Sequence, residues 1–220
     1  MDQKKSAVYQ EILFYGIAAI LIGILVGALD ALFGEVLILI TQFRGQHIAL
    51  LLPFLAVAGL AIVYIYQKFG KNSSKGMGLI FSAGNRQDEE IPKRLIPLVI
   101  GGTWLTHLFG GSAGREGVAV QIGATVGYTF GKKLPFQDSK KILLVAGMAA
   151  GFAGLFQTPM AATFFALEVL MVGRIEYRAL FPAALSAFVA SYTSHFLGLE
   201  KFSVDLSVAV PVDLSFAGKV

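Results

Sequence analysis

From Ile12 to Ile40 the chain is apolar for longer than the roughly 20 residues that carry a helix across a bilayer. This run predicts a single tilted membrane helix. Its Gly23-Ile-Leu-Val-Gly27 spacing leaves room for a second helix to approach closely. The Lys-bearing start, MDQKKSAVYQE, precedes an apolar run too long for a signal peptide and without a small-residue cleavage site. We therefore expect a retained first helix whose N-terminus is cytoplasmic. Asp30 and Glu35 fall in the second half of the run. An intramembrane acid is a functional candidate by default, but their position toward the far end reads as interfacial.

The rest of the chain fits a membrane environment. Only 15% of its residues are charged and 55% are hydrophobic, an excess that a soluble domain of 220 residues would have to expose to water. The net charge of +4 is gathered in short clusters between apolar runs: Lys4-Lys5, Lys68/Lys71/Lys75, Lys93-Arg94, Lys132-Lys133, Lys140-Lys141 and Arg174/Arg178. Such clusters set topology and do not make a nucleic-acid face. Cysteine is absent, which excludes disulfides, thiolate metal sites and a Cys nucleophile. His47, His107 and His195 show no ligand spacing, and we expect neither metal nor cofactor.

Ile48–Tyr66, with Pro53 near its start, is a second spanning candidate. A polar stretch, FGKNSSKGMG, a short apolar piece, Leu79–Ala83, and a charged loop follow. Then the pattern shortens. Leu95–Phe109, Val118–Phe130, Ile142–Phe156 and Met160–Val172 are each flanked or interrupted by Gly or Pro, and only Ala179–Leu199 is long again. A series of short, Gly-broken segments predicts helices that stop inside the membrane, which is tolerated only where they are buried in protein or line a cavity. The alternative is an ordinary bundle with Gly for packing. Residues 200–220 are expected to form a loop or linker tail to one transmembrane domain spanning 1–220.

The window Gly110-Gly-Ser-Ala-Gly-Arg-Glu-Gly-Val-Ala-Val-Gln-Ile-Gly123 carries the chemistry. A glycine-rich turn runs into a helix start, where unpaired N–H groups and the positive dipole end can hold an anion. Glu116 sits there. Ionised, it would compete with a transported anion for those groups; protonated, it would leave. From the window alone a second reading stands beside this one: a helix N-terminal acid paired with Arg115.

The sequence G-S-A-G-R-E-G-V, followed by Q-I-G-A, resembles the GREGP-type signature of the CLC family of anion channels and antiporters, with Val118 where the family usually has Pro. Lys75-Gly-Met-Gly78 is similar to the family's Gly-Ser-Gly-Ile-Pro loop. Phe156-Gln-Thr-Pro-Met-Ala-Ala162, followed by Phe164-Phe-Ala-Leu-Glu168, resembles its Pro-centred loop and Glu-bearing helix. The resemblance implies an all-α integral membrane fold, the N-terminal inverted-repeat half of the CLC fold, with broken, tilted and re-entrant helices. It implies that Glu116 is the gate and proton carrier, and that Gly76, Met77, Gly78, Phe81, Arg115, Gly117 and Val118 surround the ion.

The departures sharpen the reading. Met77 stands where the family's Ser donates to chloride, and a thioether cannot donate. Val169 stands where chloride/proton antiporters carry an inner glutamate, and Glu168 before it reads as structural. Both features resemble the fluoride/proton antiporter branch, in which phenylalanines line the path, as Phe81 would. Packing is the alternative for Met77 and Phe81.

The family's subunits contain two halves with the ion between them, and this chain has the length of one. The expectations are a fragment or split protein completed by a separate C-terminal half, a self-associating half, or a compact relative that builds the site from two copies. A homodimer would use 160–199, with Leu170, Met171, Leu180, Phe181, Leu185 and Phe188 in contact; otherwise these residues face lipid. The expected activity is exchange of fluoride for protons across the cell membrane. The alternatives are a chloride channel or chloride/proton antiporter half, or a half-repeat that only assembles. No arrangement of residues supports an enzyme.

Overall fold

The computed structural model describes residues 2–85, 89–170 and 174–200, so the expected tail beyond Glu200 lies outside the described residues. Eight α-helices account for most of the described chain: α1 Asp2–Leu51, α2 Leu55–Phe69, α3 Met77–Gly84, α4 Leu95–Leu108, α5 Glu116–Gly131, α6 Ser139–Phe156, α7 Pro159–Val169 and α8 Leu180–Phe196. No strand occurs among the described residues.

The first helix is longer than expected. It runs past Ile40 to Leu51, with non-helical φ/ψ only at His47 (φ −125°, ψ 19°). A 3-10 turn at Leu52–Phe54 follows, and Pro53, which lacks an N–H, ends the α-helical ladder there. The second span accordingly starts at Leu55 and not at Ile48. Along α4, the α1 residues Phe33 and Arg44 meet Trp104 and His107, through Trp104 Nε1–H to the Phe33 carbonyl (3.2 Å) and Arg44 Nη1–H to the His107 carbonyl (3.2 Å). Helix α2 meets α4 in the reverse sense, Leu55 against Gly111, Ile62 and Tyr66 against Gly102, and the Phe69 carbonyl against Arg94. The chain therefore turns back between His47 and Leu55.

The centre of the bundle is α6, in which every residue from Ile142 to Gly151 is buried. Helix α5 packs antiparallel on it with Ala119 opposite Gly151, Gly123 opposite Gly147 and Gly127 opposite Leu143. A Cβ built on Gly123 would lie 1.9 Å from the Gly147 carbonyl oxygen, and one on Gly147 would lie 2.0 Å from that of Gly123. These glycines sit inside unbroken helices. The expected interruptions within 118–130 and 142–156 are thus corrected: Gly123, Gly127, Gly147 and Gly151 remove side chains so that two backbones can touch. The glycines that do break helices are those at the ends, Gly76, Gly110 and Gly198, all at positive φ.

Helix α8 lies parallel to α6, tied by Ser186 Oγ–H to the Ala146 carbonyl and Ser194 Oγ–H to the Gly154 carbonyl, both 2.7 Å. The Gly23/Gly27 pair expected to admit a helix admits α8, facing Val189 and the Ala190 carbonyl. The outer faces of α1, α2 and α8 remain strongly apolar, with Ile17, Leu21, Leu60, Val63, Phe188 and Phe196 exposed.

Two further expectations change. Asp30 is not interfacial. Because α1 extends from Asp2 to Leu51, residue 30 falls in its middle, fully buried, its Oδ2 only 2.3 Å from where a Gly154 Cβ would stand. Neither carboxyl oxygen has a hydrogen-bond partner. Glu35, one turn further on, is exposed. Leu170 is not part of an outer contact surface but is buried over Gly84. Leu180, Phe181 and Phe188 are exposed, Leu185 is partly so, and Met171 lies outside the described residues.

Candidate anion site

Two helix starts face one another. The first is made by Gly76, whose φ of +54° and ψ of −128° lie where an L side chain is strained. The residue breaks the 3-10 segment Lys71–Lys75 and starts α3 at Met77. The second is made by the turn after α4. Gly110 (φ +87°) lets the chain double back, with the Gly111 N–H donating to the Thr106 carbonyl (2.9 Å), and α5 opens at Glu116. The Ala119 N–H to the Arg115 carbonyl (3.1 Å) is the first bond of the α5 ladder, so the N–H groups of Glu116, Gly117 and Val118 have no intrahelical acceptor.

Met77 and Gly117 bring the two starts together. A Cβ on Gly117 would stand 3.8 Å from Met77 Cγ and 3.8 Å from Gln121 Nε2, and one on Gly76 would stand 4.0 Å from Gln121 Oε1. Gln121 donates through Nε2 to the Gly117 carbonyl at 2.9 Å, while its Oε1 is buried without a partner. Beside it lies a cavity of about 350 Å³ whose lining includes Tyr66, Ser73, Gly76, Thr103, Val118 and Gln121. Among the described residues, no Lys, Arg, Asp or Glu lines it. Its polarity comes from hydroxyls, an amide and two helix ends, which suits an anion held by N–H and O–H groups and not by a paired cation.

The expected site residues distribute around this point as follows. Gly76, Met77, Gly117 and Val118 converge on it, and Gly78 follows Met77 with open space around it. Glu116 is exposed at the first position of α5, outside the cavity lining. Phe81 lies one turn along α3, packed against the hydrophobic core and also outside the lining. Arg115 lines a different cavity, with Arg44 and His107. On α7, Glu168 is exposed and Val169 packs against the core. Sequence reasoning passed over Gln121, Ser73 and Thr103. For Gln121 a signal was available: a lone amide in an apolar helix, one turn after Gly117. Among the described residues, no three His, Cys, Asp or Glu side chains come together as a metal site would need.

Residues 58–217 match the family model described as voltage gated chloride channel. The chain belongs to the voltage-gated chloride channel (CLC) family. It is 39% identical over 198 residues to a chloride/fluoride channel protein of Pseudomonas syringae pv. tomato, a match that covers 88% of this chain and 43% of that protein. Among solved structures it resembles a CLC-type fluoride/proton antiporter with a TM-score of 0.85 and 50% identity, over 94% of this chain and 53% of the other. A slow cyanobacterial Cl⁻/H⁺ antiporter shares the fold, with a TM-score of 0.69 at 22% identity. The chain thus spans about half the length of the CLC proteins it matches. It is an all-helical, multi-pass membrane protein, and its family is one of channels and transporters.

Proposed function

We propose that this chain is one half of a secondary transporter that exchanges fluoride for protons, with Glu116 as gate and proton carrier. The observation that carries the reading is the meeting of the α3 and α5 starts at Met77 and Gly117, with Glu116 on the first turn of α5. Ionised, the Glu116 carboxylate is drawn to the free N–H groups of that turn and excludes another anion. Protonated, it gives up that attraction and the anion takes its place. Proton and anion then alternate at one position. Met77, which offers no donor where a hydroxyl would favour chloride, turns selectivity toward fluoride. Two similar proteins, a chloride/fluoride channel protein at 39% identity and a fluoride/proton antiporter at 50%, support this choice.

The other wall of the ion path comes from a second unit of inverted topology, either a separate C-terminal half or a second copy docked through 160–199. The exposed Met160, Phe164, Leu180, Phe181 and Phe188 favour an apolar contact there. The N-terminus faces the cytoplasm of the cell membrane. Ion pairs support this by gathering the basic loops at one end, Arg178 with Glu11 and Asp138, Lys141 with Glu176, and Lys132 with Glu90.

Fluoride efflux from proteoliposomes, recorded with a pH electrode, tests the reading. Efflux accompanied by proton uptake is expected, and Glu116→Gln, a permanently neutral mimic, is expected to abolish the proton movement. Unchanged proton movement in that variant would sink the gate. Met77→Ser is expected to raise chloride flux; an unaltered fluoride-to-chloride ratio would leave Met77 a packing residue. A passive anion channel is the second reading, favoured by the likeness to the Pseudomonas chloride/fluoride channel protein. Fluoride efflux with no proton flux in the unaltered protein would select it.

A further inference from the structure

Gly23, Gly27, Asp30 and Gly34 recur at helical spacing along one face of α1. The three glycines seat that face on the bundle, against Val189 and the Ala190 carbonyl of α8 and the Leu199 side chain. Asp30 puts a carboxyl in the middle of this close-packed row, where it meets Gly154 in the last turn of α6. Among the described residues it is the only acidic side chain that is buried, with no exposure to solvent. The register of α5 on α6, with Ala119 opposite Gly151, carried one turn further sets Gly154 level with Glu116.

Neither Asp30 oxygen has a hydrogen-bond donor. Among the described residues no charged side chain acts on it, and no three-ligand metal cluster includes it. Helices α4, α5, α6 and α8 all pack on α1. On α6 no titratable side chain occurs from Ile142 to Phe156. Of the groups nearest in height on the others, Glu116, Tyr192 and His195 are exposed, as is Glu35 on α1 itself, while His107 and Arg115 are half-buried around their own cavity. Asp30 lines neither that cavity nor the one beside Gln121. A carboxylate without donor, cation or water costs far more to bury than a carboxylic acid does. Here it would also face the negative end of the α6 dipole. Gly154 comes too close for a water molecule to stand between the carboxyl and the α6 backbone. A proton is the ligand that fits.

We propose that Asp30 is a proton-binding site that latches α1 to α6: the bound proton lets the two helices close, and its release requires them to part. On release the carboxylic acid becomes a carboxylate and its proton passes to water entering between the helices. Proton binding at Asp30 does not rest on the transport reading, and Glu116 takes no part in it. A shift of α1 is nevertheless felt at the height of the α5 start.

Infrared spectra of the purified chain in detergent at neutral pH, with ¹³C at the aspartate side-chain carboxyl, test the site. The carbonyl stretch of a protonated aspartic acid is expected in the unaltered protein and in Glu116→Gln. It is expected to be absent from Asp30→Asn, which copies the shape of the neutral acid, and from Asp30→Ala. The unfolded chain releases this proton in the ordinary carboxylate range while the folded chain keeps it. The folding equilibrium of the unaltered protein should therefore weaken, relative to Asp30→Asn, about tenfold for each pH unit above that range. A carboxyl that serves only to pack leaves the two slopes equal. Amide hydrogen exchange along α1 around Asp30, corrected for its intrinsic pH dependence, reads the latch. It should quicken as pH rises in the unaltered protein and not in Asp30→Asn. The proposal is overturned if the unaltered protein shows no protonated-aspartate band, if the band survives in both variants, or if slopes and exchange match those of Asp30→Asn. If neither neutral variant folds, the fold needs the charge and the latch is likewise overturned.

Discussion

The α5–α6 interface and the two turns that start α3 and α5 use glycine to opposite ends. In the interface, a Cβ on Gly123, Gly127, Gly147 or Gly151 would fall 1.9 to 2.0 Å from a carbonyl oxygen of the facing helix. No side chain fits, and the contact is backbone on backbone. At the turns, Gly110 and Gly111 crowd Ile48 and Thr106, but nearer the helix starts Gly78 and Gly114 have nothing within 4 Å, and the atoms nearest Gly117 are at 3.8 Å. One set of glycines closes space and the other keeps it open beside free N–H groups. The close-packed pair holds the second set in place, because α5 presents Gly117 and Gln121 on the helix that its own glycines fix against α6. Stability and function are therefore separable by substitution within a single helix.

Gly123→Ala or Gly147→Ala should have the largest effect. The two backbones must part, at a cost on the order of 3 kcal/mol, which lowers a melting temperature by roughly 10 °C in a chain of this size. Thermal unfolding in detergent reads it directly. The control is Gly59→Ala, in α2 with nothing within 4 Å, where the substitution should be neutral or stabilise by up to about 1 kcal/mol. Equal losses at Gly123 and Gly59 would refute the close-packing account.

Gly154→Ala should come next. Its Cβ meets a carboxylate oxygen of Asp30 and not a backbone carbonyl, so a side chain can yield. We expect about 1–2 kcal/mol of destabilisation, most of it recovered in the double variant Asp30→Ala/Gly154→Ala. Strict additivity of the two single changes would show that Asp30 does not occupy the space that Gly154 leaves.

Gly76→Ala tests the open set. The cost of a side chain at φ +54°, ψ −128° is about 1–3 kcal/mol, and the strain falls directly on Met77. Fluoride flux should fall by a larger factor than the folded fraction does. A proportional fall would mean that the turn supports the fold without placing Met77.

The first helix, its close-approach glycines and the helix start at Glu116 were legible in the sequence because each depends on local pattern, namely length of apolar run, spacing of small residues, and Gly before an acid. The pairing of Gly123 with Gly147 was not. A glycine that ends a helix and one that lets two helices touch are the same letter, and only the facing helix distinguishes them. Asp30 was misplaced for a similar reason. Its depth depends on where α1 ends, and the apolar run stops before the helix does. Ser73 and Thr103 approach the site through tertiary contacts that no spacing encodes.

The smallest expected effect lies furthest from either glycine set, in the loops. Lys132, at the end of α5, pairs with Glu90, and its ammonium holds the Glu90 carboxyl below the ordinary carboxylate range while the carboxylate raises the Lys132 pKa. A lowered folded-state pKa means that the Glu90 contribution is present above the ordinary carboxylate range and disappears as pH falls through the lowered value. The contribution of Lys132, whose folded-state pKa is raised, is present below the ordinary lysine range and is lost as pH climbs through the raised value. Both groups are solvent-exposed, so water and salt screen the pair. Glu90→Gln should therefore shift the melting temperature less than any glycine substitution above. The shift should be visible near neutral pH in low salt and should vanish in acid and at high ionic strength. A shift that persists in acid would mean that Glu90 acts by packing, and that the loops share in the stability assigned to the α5–α6 contact.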